Sequence, residues 1–277
     1  MEKIMQQITL NNGITIPQFG LGVFRTPDGE ATKNSVKWAL ESGYRHLDTA
    51  MIYENEESVG EAMHESGIPR EEIFLTTKLW NEDIRQGRAK EAFEESLKRL
   101  QTDYVDLYLI HWPAVGYEKA WAELEELYDA GRIRAIGVSN FQIHHLDTLK
   151  KTAKITPAVN QIESHPYFTN QELIEECRRR GIAVEVWSPL GGTGGNSVLQ
   201  DPLLATLAQK YQKTPAQIIL RWDIQRGVIV FPKSVHRERI LANQDIFDFE
   251  ITAEDMKKID ALNKNERVGA DPDTFDF

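Results

Sequence analysis

Four side chains of complementary chemistry stand at or near the ends of short apolar runs. Asp48 closes YRHLD with Tyr53 five residues on, Lys78 closes IFLTTK, and His111 closes VDLYLIH just before Trp112 and Pro113. Singly, each has an ordinary reading: a strand-end Asp caps the next turn, and a lone Tyr or His more often packs than reacts. Lys78 is harder to dismiss, because an ammonium directly after an apolar run must reach water or find an anion, and Asp48 on a neighbouring strand supplies one. Together the four suit carbonyl reduction. A phenol with an ordinary pKa of about 10 holds its proton at neutral pH, and a nearby cation is expected to lower that value and make Tyr53 a better acid. Such a phenol protonates a carbonyl oxygen as hydride reaches the carbon, while an imidazole edge from His111 orients that oxygen. No side chain donates hydride, so this chemistry requires a nicotinamide or flavin.

The elements that position these groups follow from periodicity. QITLNNGITIP alternates apolar and polar residues around Asn11-Asn12-Gly13 and predicts an N-terminal hairpin whose turn takes a positive φ. Strands are then expected near Phe19, Tyr44, Ile73, Val105, Ile133, Ala158, Ile182 and Val228, separated by amphipathic segments such as EATKNSVKWALESG and YEKAWAELEELYDAG, several ending at glycine. Eight βα repeats predict an α/β (β/α)8 TIM barrel with the hairpin in front and an additional C-terminal helix, residues 1–277 forming one domain. An open doubly wound sheet competes, but Gly20-Leu21-Gly22 lacks the third glycine of the dinucleotide fingerprint and no GxxxxGK[ST] occurs. In a barrel, the strand ends carrying Asp48, Lys78 and His111 form the functional face.

Composition narrows the classes. With 277 residues, 41% hydrophobic and 27% charged, the chain can bury a core without staples. A single cysteine, Cys177, forms no intramolecular bridge, no signal-peptide core precedes the hairpin, and no apolar run approaches a membrane span, so the expected address is cytoplasmic. A net charge of −11 disfavours nucleic acid. The basic run Arg178-Arg179-Arg180 reads as helix-end charge.

With those residues in place, the chain resembles the aldo-keto reductases, of the bacterial type similar to diketogluconate and methylglyoxal reductases. The resemblance extends from the hairpin to about Asn265. It rests on GYRHLDTAMIYENEESVG from Gly43, TKLW from Thr77, VDLYLIHWP from Val105, GVSNF from Gly137 and FPKS from Phe231. It implies that Asp48, Tyr53, Lys78 and His111 form a catalytic tetrad, and that NADPH lies across the barrel mouth. The implied cofactor contacts are Gly22, Ser139, Asn140 and Gln161, with the last three on the carboxamide, then Trp187 against the nicotinamide, Ser188 and Leu190. Lys233, Ser234, Val235, Arg239 and Asn243 are implied at the adenosine end. Read without the resemblance, Ser139-Asn140 is better taken as an ordinary turn and Trp187 as a core aromatic, and the resemblance reverses that preference. Two cations and a hydroxyl at Lys233, Arg239 and Ser234 suit a 2′-phosphate, favouring NADPH over NADH. The run from Gly191 to Asn196 is implied to be a cofactor-covering loop. Ala242, where many relatives carry an acidic residue, and Trp187, in place of the more familiar tyrosine, are departures that bear on cofactor affinity.

Val23, Phe24, Met51, Trp80 and Trp112 are implied around a small-molecule carbonyl. The brief connection after His111 and the short chain beyond Asp271 suggest reduced loops and broad specificity covering methylglyoxal, aromatic aldehydes and diketo-sugar derivatives. Family habit suggests a monomer or weak dimer. Two other readings are a nicotinamide-redox-sensing binding module on the same fold and a metal hydrolase using His46, Asp48, His111 and His165. The intact tetrad disfavours the first, and an ordinary packed role for His46 disfavours the second, so no metal is expected.

Overall fold

The computed structural model describes residues 6–192 and 198–277. Asn11-Asn12-Gly13 turns the chain between β1 (Gln7–Thr9) and β2 (Thr15–Pro17), which pair antiparallel with Ile8 opposite Ile16. Gly13 takes φ 89°, the positive value expected of that turn. Asn11 and Asn12 donate to the carbonyls of Pro157 and Arg134, tying the hairpin to the strand starts. Leu10 and Ile16 are buried in a cluster with Phe74, Leu107, Ala135, Ala158, Val159 and Ile229. The hairpin therefore closes the end of the barrel opposite the mouth.

Eight parallel strands follow in chain order: β3 (Leu21–Gly22), β4 (His46–Asp48), β5 (Phe74–Leu79), β6 (Val105–Ile110), β7 (Ile133–Ser139), β8 (Val159–Glu163), β9 (Ala183–Trp187) and β10 (Ile229–Val230). Bridges from Phe19 to Val230 and from Gly22 to Lys233 join the first strand to the last, giving the (β/α)8 architecture. Side chains on one strand face meet the barrel interior and those on the other meet helices, which is why VDLYLI reads as an unbroken buried run. At the seam, a Cβ on Gly22 would lie 2.7 Å from the Phe231 carbonyl oxygen, so the strands can approach there only with glycine.

Eleven α-helices are described: α1 (Glu30–Glu41), α2 (Glu56–Glu65), α3 (Asn81–Gln86), α4 (Ala89–Leu100), α5 (Tyr117–Asp129), α6 (Ile143–Lys150), α7 (Gln171–Arg179), α8 (Pro202–Tyr211), α9 (Pro215–Gln225), α10 (Arg237–Asn243) and α11 (Ala253–Asp260), the last matching the expected C-terminal helix. Helix α5 buries Tyr117, Ala120, Trp121 and Leu124, the 3.6-residue stripe that faces the sheet. Helix α9 starts with Pro215 behind a capping box in which Thr214 and Gln217 satisfy each other's backbone N–H. The basic run lies at the end of α7, where Arg179 and Arg180 pair with Glu176 and Arg180 also with Asp147. Beyond α11 the chain returns across the mouth. No described helix is long and apolar enough to cross a membrane.

Candidate active site

The strand ends gather the four predicted residues. Asp48 ends β4, Lys78 is the penultimate residue of β5, His111 follows β6, and Tyr53 closes the 3-10 turn Met51–Tyr53. Lys78 Nζ donates to Asp48 Oδ1 at 2.6 Å and to the Thr49 carbonyl at 2.8 Å, and lies 3.4 Å from the Tyr53 hydroxyl. An ammonium has three hydrogens, and these three acceptors match them. The Tyr53 and His111 rings meet edge to face at 5.7 Å.

Electrostatics follow from burial. Lys78 and Asp48 are both buried. Burial pulls the Lys78 pKa down, but Asp48 and Tyr53 beside it more than offset this, so the ammonium is held above its ordinary value. His111 is pushed well below the ordinary histidine value by burial and by the Lys78 charge, which leaves a neutral imidazole. Lys78 acts on Tyr53 in the expected direction, lowering its pKa, but the net outcome differs from the expectation. Burial raises the pKa, Lys78 offsets only part of the rise, and the net direction is upward. Tyr53 therefore holds its proton firmly at neutral pH, and Lys78 limits how far its acidity is suppressed.

The implied carboxamide residues also converge. Ser139 Oγ and the Asn140 N–H both donate to the Gln161 carbonyl oxygen at 2.8 Å. Asn140, at φ 63°, donates to the His111 carbonyl and accepts from Trp187 Nε1 at 2.9 Å. Ser188 and Leu190 continue from β9, with Ser188 at φ 51°. Gly191 and Gly192 are described, whereas the rest of the run implied to cover the cofactor, 193–196, lies outside the described residues. After β10, Lys233 and Arg239 are exposed, Val235 is partly buried, and Ser234 and Asn243 are buried.

Gln161 Nε2 donates to Asp48 Oδ2 and to Glu185 Oε2, both at 2.8 Å. Sequence reading passed over Glu185. The signal was there, since in AVEVW an acidic residue stands between two valines at the centre of an otherwise apolar strand. His46 belongs to the same buried group, its Nε2 3.6 Å from Glu185 Oε1. His165 instead pairs with Glu163 at 3.0 Å. Among the described residues, the three ligand types that do approach one another are His144, His145 and Asp273. There the His145 Nδ1 accepts the Gln142 backbone N–H, so a neutral ring carries its proton on Nε2, the atom a metal would need.

Apolar residues wall the space above Tyr53 and His111. Phe24 lies 5.1 Å from the Tyr53 ring, Trp80 lies 5.2 Å from His111, and Met51 Sδ accepts the Trp80 N–H. Trp112 is buried beside them, whereas Val23 is packed into the hydrophobic core. Sequence reading also passed over the far end of the chain. Phe277 stacks on Trp80 at 5.8 Å and 2° and meets Trp112 edge-on, while Phe275 packs on Trp112. The Phe277 backbone oxygen accepts from Arg85 and Asn81. Glu163 holds the approach to this segment by accepting the N–H groups of Val268 and Gly269. The short chain beyond Asp271 thus adds aromatic surface to the mouth.

The aldo/keto reductase family pattern matches residues 18–264. The chain is 54% identical over 271 residues to glyoxal reductase of Bacillus subtilis (strain 168), covering 98% of this chain and 97% of that protein. It is 45% identical over 271 residues to methylglyoxal reductase DkgA of Escherichia coli (strain K12), covering 97% of each. The crystal structure of a Bombyx mori aldo-keto reductase in complex with NADP superposes with a TM-score of 0.91 at 40% identity, covering 97% of this chain and 96% of that one.

Proposed function

The chain belongs to the aldo/keto reductase family, and from that premise we propose that it reduces aldehydes and ketones to alcohols with NADPH, using Tyr53 as the acid. The observation that carries this reading is Lys78 Nζ seated between the Asp48 carboxylate and the Tyr53 hydroxyl, beside a neutral His111.

The residues at the ends of β7 to β10 fit the cofactor. Asn140 and Gln161 offer amide groups for a carboxamide, Trp187 offers a flat ring, and the glycine at the seam leaves open backbone. Lys233, Arg239 and Ser234 suit a phosphate dianion, which favours NADPH over NADH. Bound there, the reduced nicotinamide supplies the hydride that no side chain can. The protein's part is the proton. As the carbonyl carbon gains hydride, charge develops on its oxygen, and Tyr53 transfers its hydroxyl proton to that atom to complete the alcohol. His111 assists as a neutral donor. Its Nδ1 is buried with no hydrogen-bond partner among the described residues, which suits the unprotonated nitrogen and places the ring proton on Nε2. Lys78, neutralised by Asp48, stabilises the phenolate left behind.

The wall formed by Phe24, Met51, Trp80 and Trp112 excludes water and contacts the substrate without selecting by hydrogen bonds, which supports a broad range of small carbonyls. Methylglyoxal and glyoxal lead that range, in keeping with the names of the relatives, followed by aromatic aldehydes and diketo-sugar derivatives. We read the enzyme as one barrel domain over residues 1–277, cytoplasmic, and a monomer or weak dimer. The buried Cys177, its thiol pushed up to about 11 by burial, asks for no oxidising compartment.

The test is NADPH oxidation with an aldehyde panel, comparing the wild type with Tyr53→Phe. Turnover is expected to fall by about 10²- to 10⁴-fold while NADPH binding stays within a factor of about two. A wild type that binds NADPH yet reduces nothing would overturn the reading in favour of a redox-sensing module. One strongly preferred compound with the others inert would overturn broad specificity.

A further inference from the structure

Glu185 is fully buried at the centre of β9, side by side with Gln161 of β8 in the strand register. Among the described residues it forms no ion pair with a lysine or arginine, although the Lys78 charge acts on it from a distance. Its Oε1 has no hydrogen-bond partner among the described residues, and the nearest ring, His46, is held neutral with its pKa lowered to about 3, chiefly by burial. Such a carboxyl disfavours folding, and a valine like its strand neighbours Val184 and Val186 would fit the barrel at lower cost. What Glu185 does contact is the amide of Gln161.

A glutamine amide has a donor end and an acceptor end, and its contacts decide which way it points. Asp48 alone fixes one hydrogen of the Gln161 NH2. Glu185 takes the other, at the same 2.8 Å. With a carboxyl oxygen accepting at each hydrogen, a flipped amide would lose both bonds and set its own oxygen against the Asp48 carboxylate, so the flip is disfavoured. The remaining group, Gln161 Oε1, is then held as an acceptor, and an acceptor is what a carboxamide N–H requires.

We propose that Glu185 is a positioning residue for the cofactor: it locks the Gln161 amide with its oxygen as the acceptor for the nicotinamide carboxamide N–H. This rests on the reading of Gln161 as a carboxamide contact. The role is one of recognition through a neighbour, because Glu185 lies behind Gln161 and touches no reacting atom.

The experiment is equilibrium binding, followed by tryptophan fluorescence, of NADPH and of its 3-acetylpyridine analogue, which carries a methyl ketone in place of the carboxamide and so has no N–H to offer. Glu185→Val is expected to weaken NADPH binding by about 10-fold and analogue binding by less than about 2-fold, narrowing the preference for NADPH. Glu185→Gln keeps an acceptor oxygen in place and is expected to restore the preference to within about 2-fold of wild type. Glu185→Thr, β-branched but too short to reach the amide, carries the same expectation as Glu185→Val should that variant fail to fold. Equal loss for both cofactors, or no loss for either, would overturn the proposal. Gln161→Leu separates the two layers. If it leaves the preference intact, the underlying reading of Gln161 fails. If it erases the preference while Glu185→Val and Glu185→Thr behave as wild type, the role of Glu185 alone fails.

Discussion

Lys78 and Asp48 are buried together and, among the described residues, each is the other's ion-pair partner, so removing one charge differs from removing both. Lys78→Met leaves a buried carboxylate without its cation and is expected to cost about 3–5 kcal/mol of stability, with turnover down by about 10²-fold or more. The double change Lys78→Met with Asp48→Asn should recover much of that stability in urea unfolding but none of the turnover. Recovery of both would mean that the pair serves folding alone. Glu185 gives a different signature. Burial, followed by the charge of Asp48, pushes its carboxyl up to about 8 from an ordinary 4.5. Between those values the folded chain keeps a proton that the unfolded chain has lost, so this group's contribution to stability is full below about 4.5 and falls as pH rises through 8. The amide of Glu185→Gln does not titrate. That variant should therefore melt a few degrees above wild type at pH 8–9, with the gap closing toward pH 5; a gap independent of pH would contradict the assignment. Asp48, Lys78 and His111 were legible in the sequence because each stands at or near the end of a short strand-forming run. Glu185 left a signal, an acid between two valines, but one acidic residue inside a five-residue strand reads equally as an outward face, and closure of the barrel shows that it points in.

At the scale of elements, the strands were legible because burial on both faces writes continuous apolar runs, and their order because βα repeats admit few connections. The shortest strands, β3 and β10, were blurred at their edges, since their pairing across the seam depends on contacts some 200 residues apart. The C-terminal segment was the largest miss. VGADPDTFDF is short and polar, and its aromatic residues carry no period, so nothing local announces that Phe275 and Phe277 settle on Trp112 and Trp80. One carboxylate anchors its start, while Arg85 and Asn81 hold its far end through the Phe277 backbone oxygen. Glu163 accepts from Val268, Gly269 and His165, and an amide in its place would turn an N–H toward a backbone N–H. Glu163→Gln is expected to loosen the segment by about 1–3 kcal/mol. Limited proteolysis should then cut beyond residue 264 several-fold faster, and KM for apolar aldehydes should rise while kcat holds. Unchanged cleavage would mean that the far-end contacts suffice to hold the segment.

For the whole molecule, the two ends of the barrel divide stability from chemistry. Every group assigned to the reaction lies at the carboxyl ends of the strands, whereas the hairpin covers the opposite end and contributes none. Ile16 is its innermost side chain, fully buried against residues near the starts of the strands, including Phe74 and Ile229. Truncating it removes apolar contacts that the strand ends cannot refill, because those backbones are fixed by pairing in the sheet. Ile16→Ala is accordingly expected to cost about 2–5 kcal/mol in urea unfolding. The barrel is a closed sheet, so the loss should appear as a lower midpoint for the entire transition rather than as a local opening near the mouth. Below that midpoint, kcat and KM should match wild type within a factor of about two, since no hydrogen bond or ring contact links Ile16 to Tyr53 or Lys78. A matching drop in kcat at temperatures where the variant is fully folded would show that the floor of the barrel helps to set the geometry of its mouth, and the division between the two ends would have to be given up.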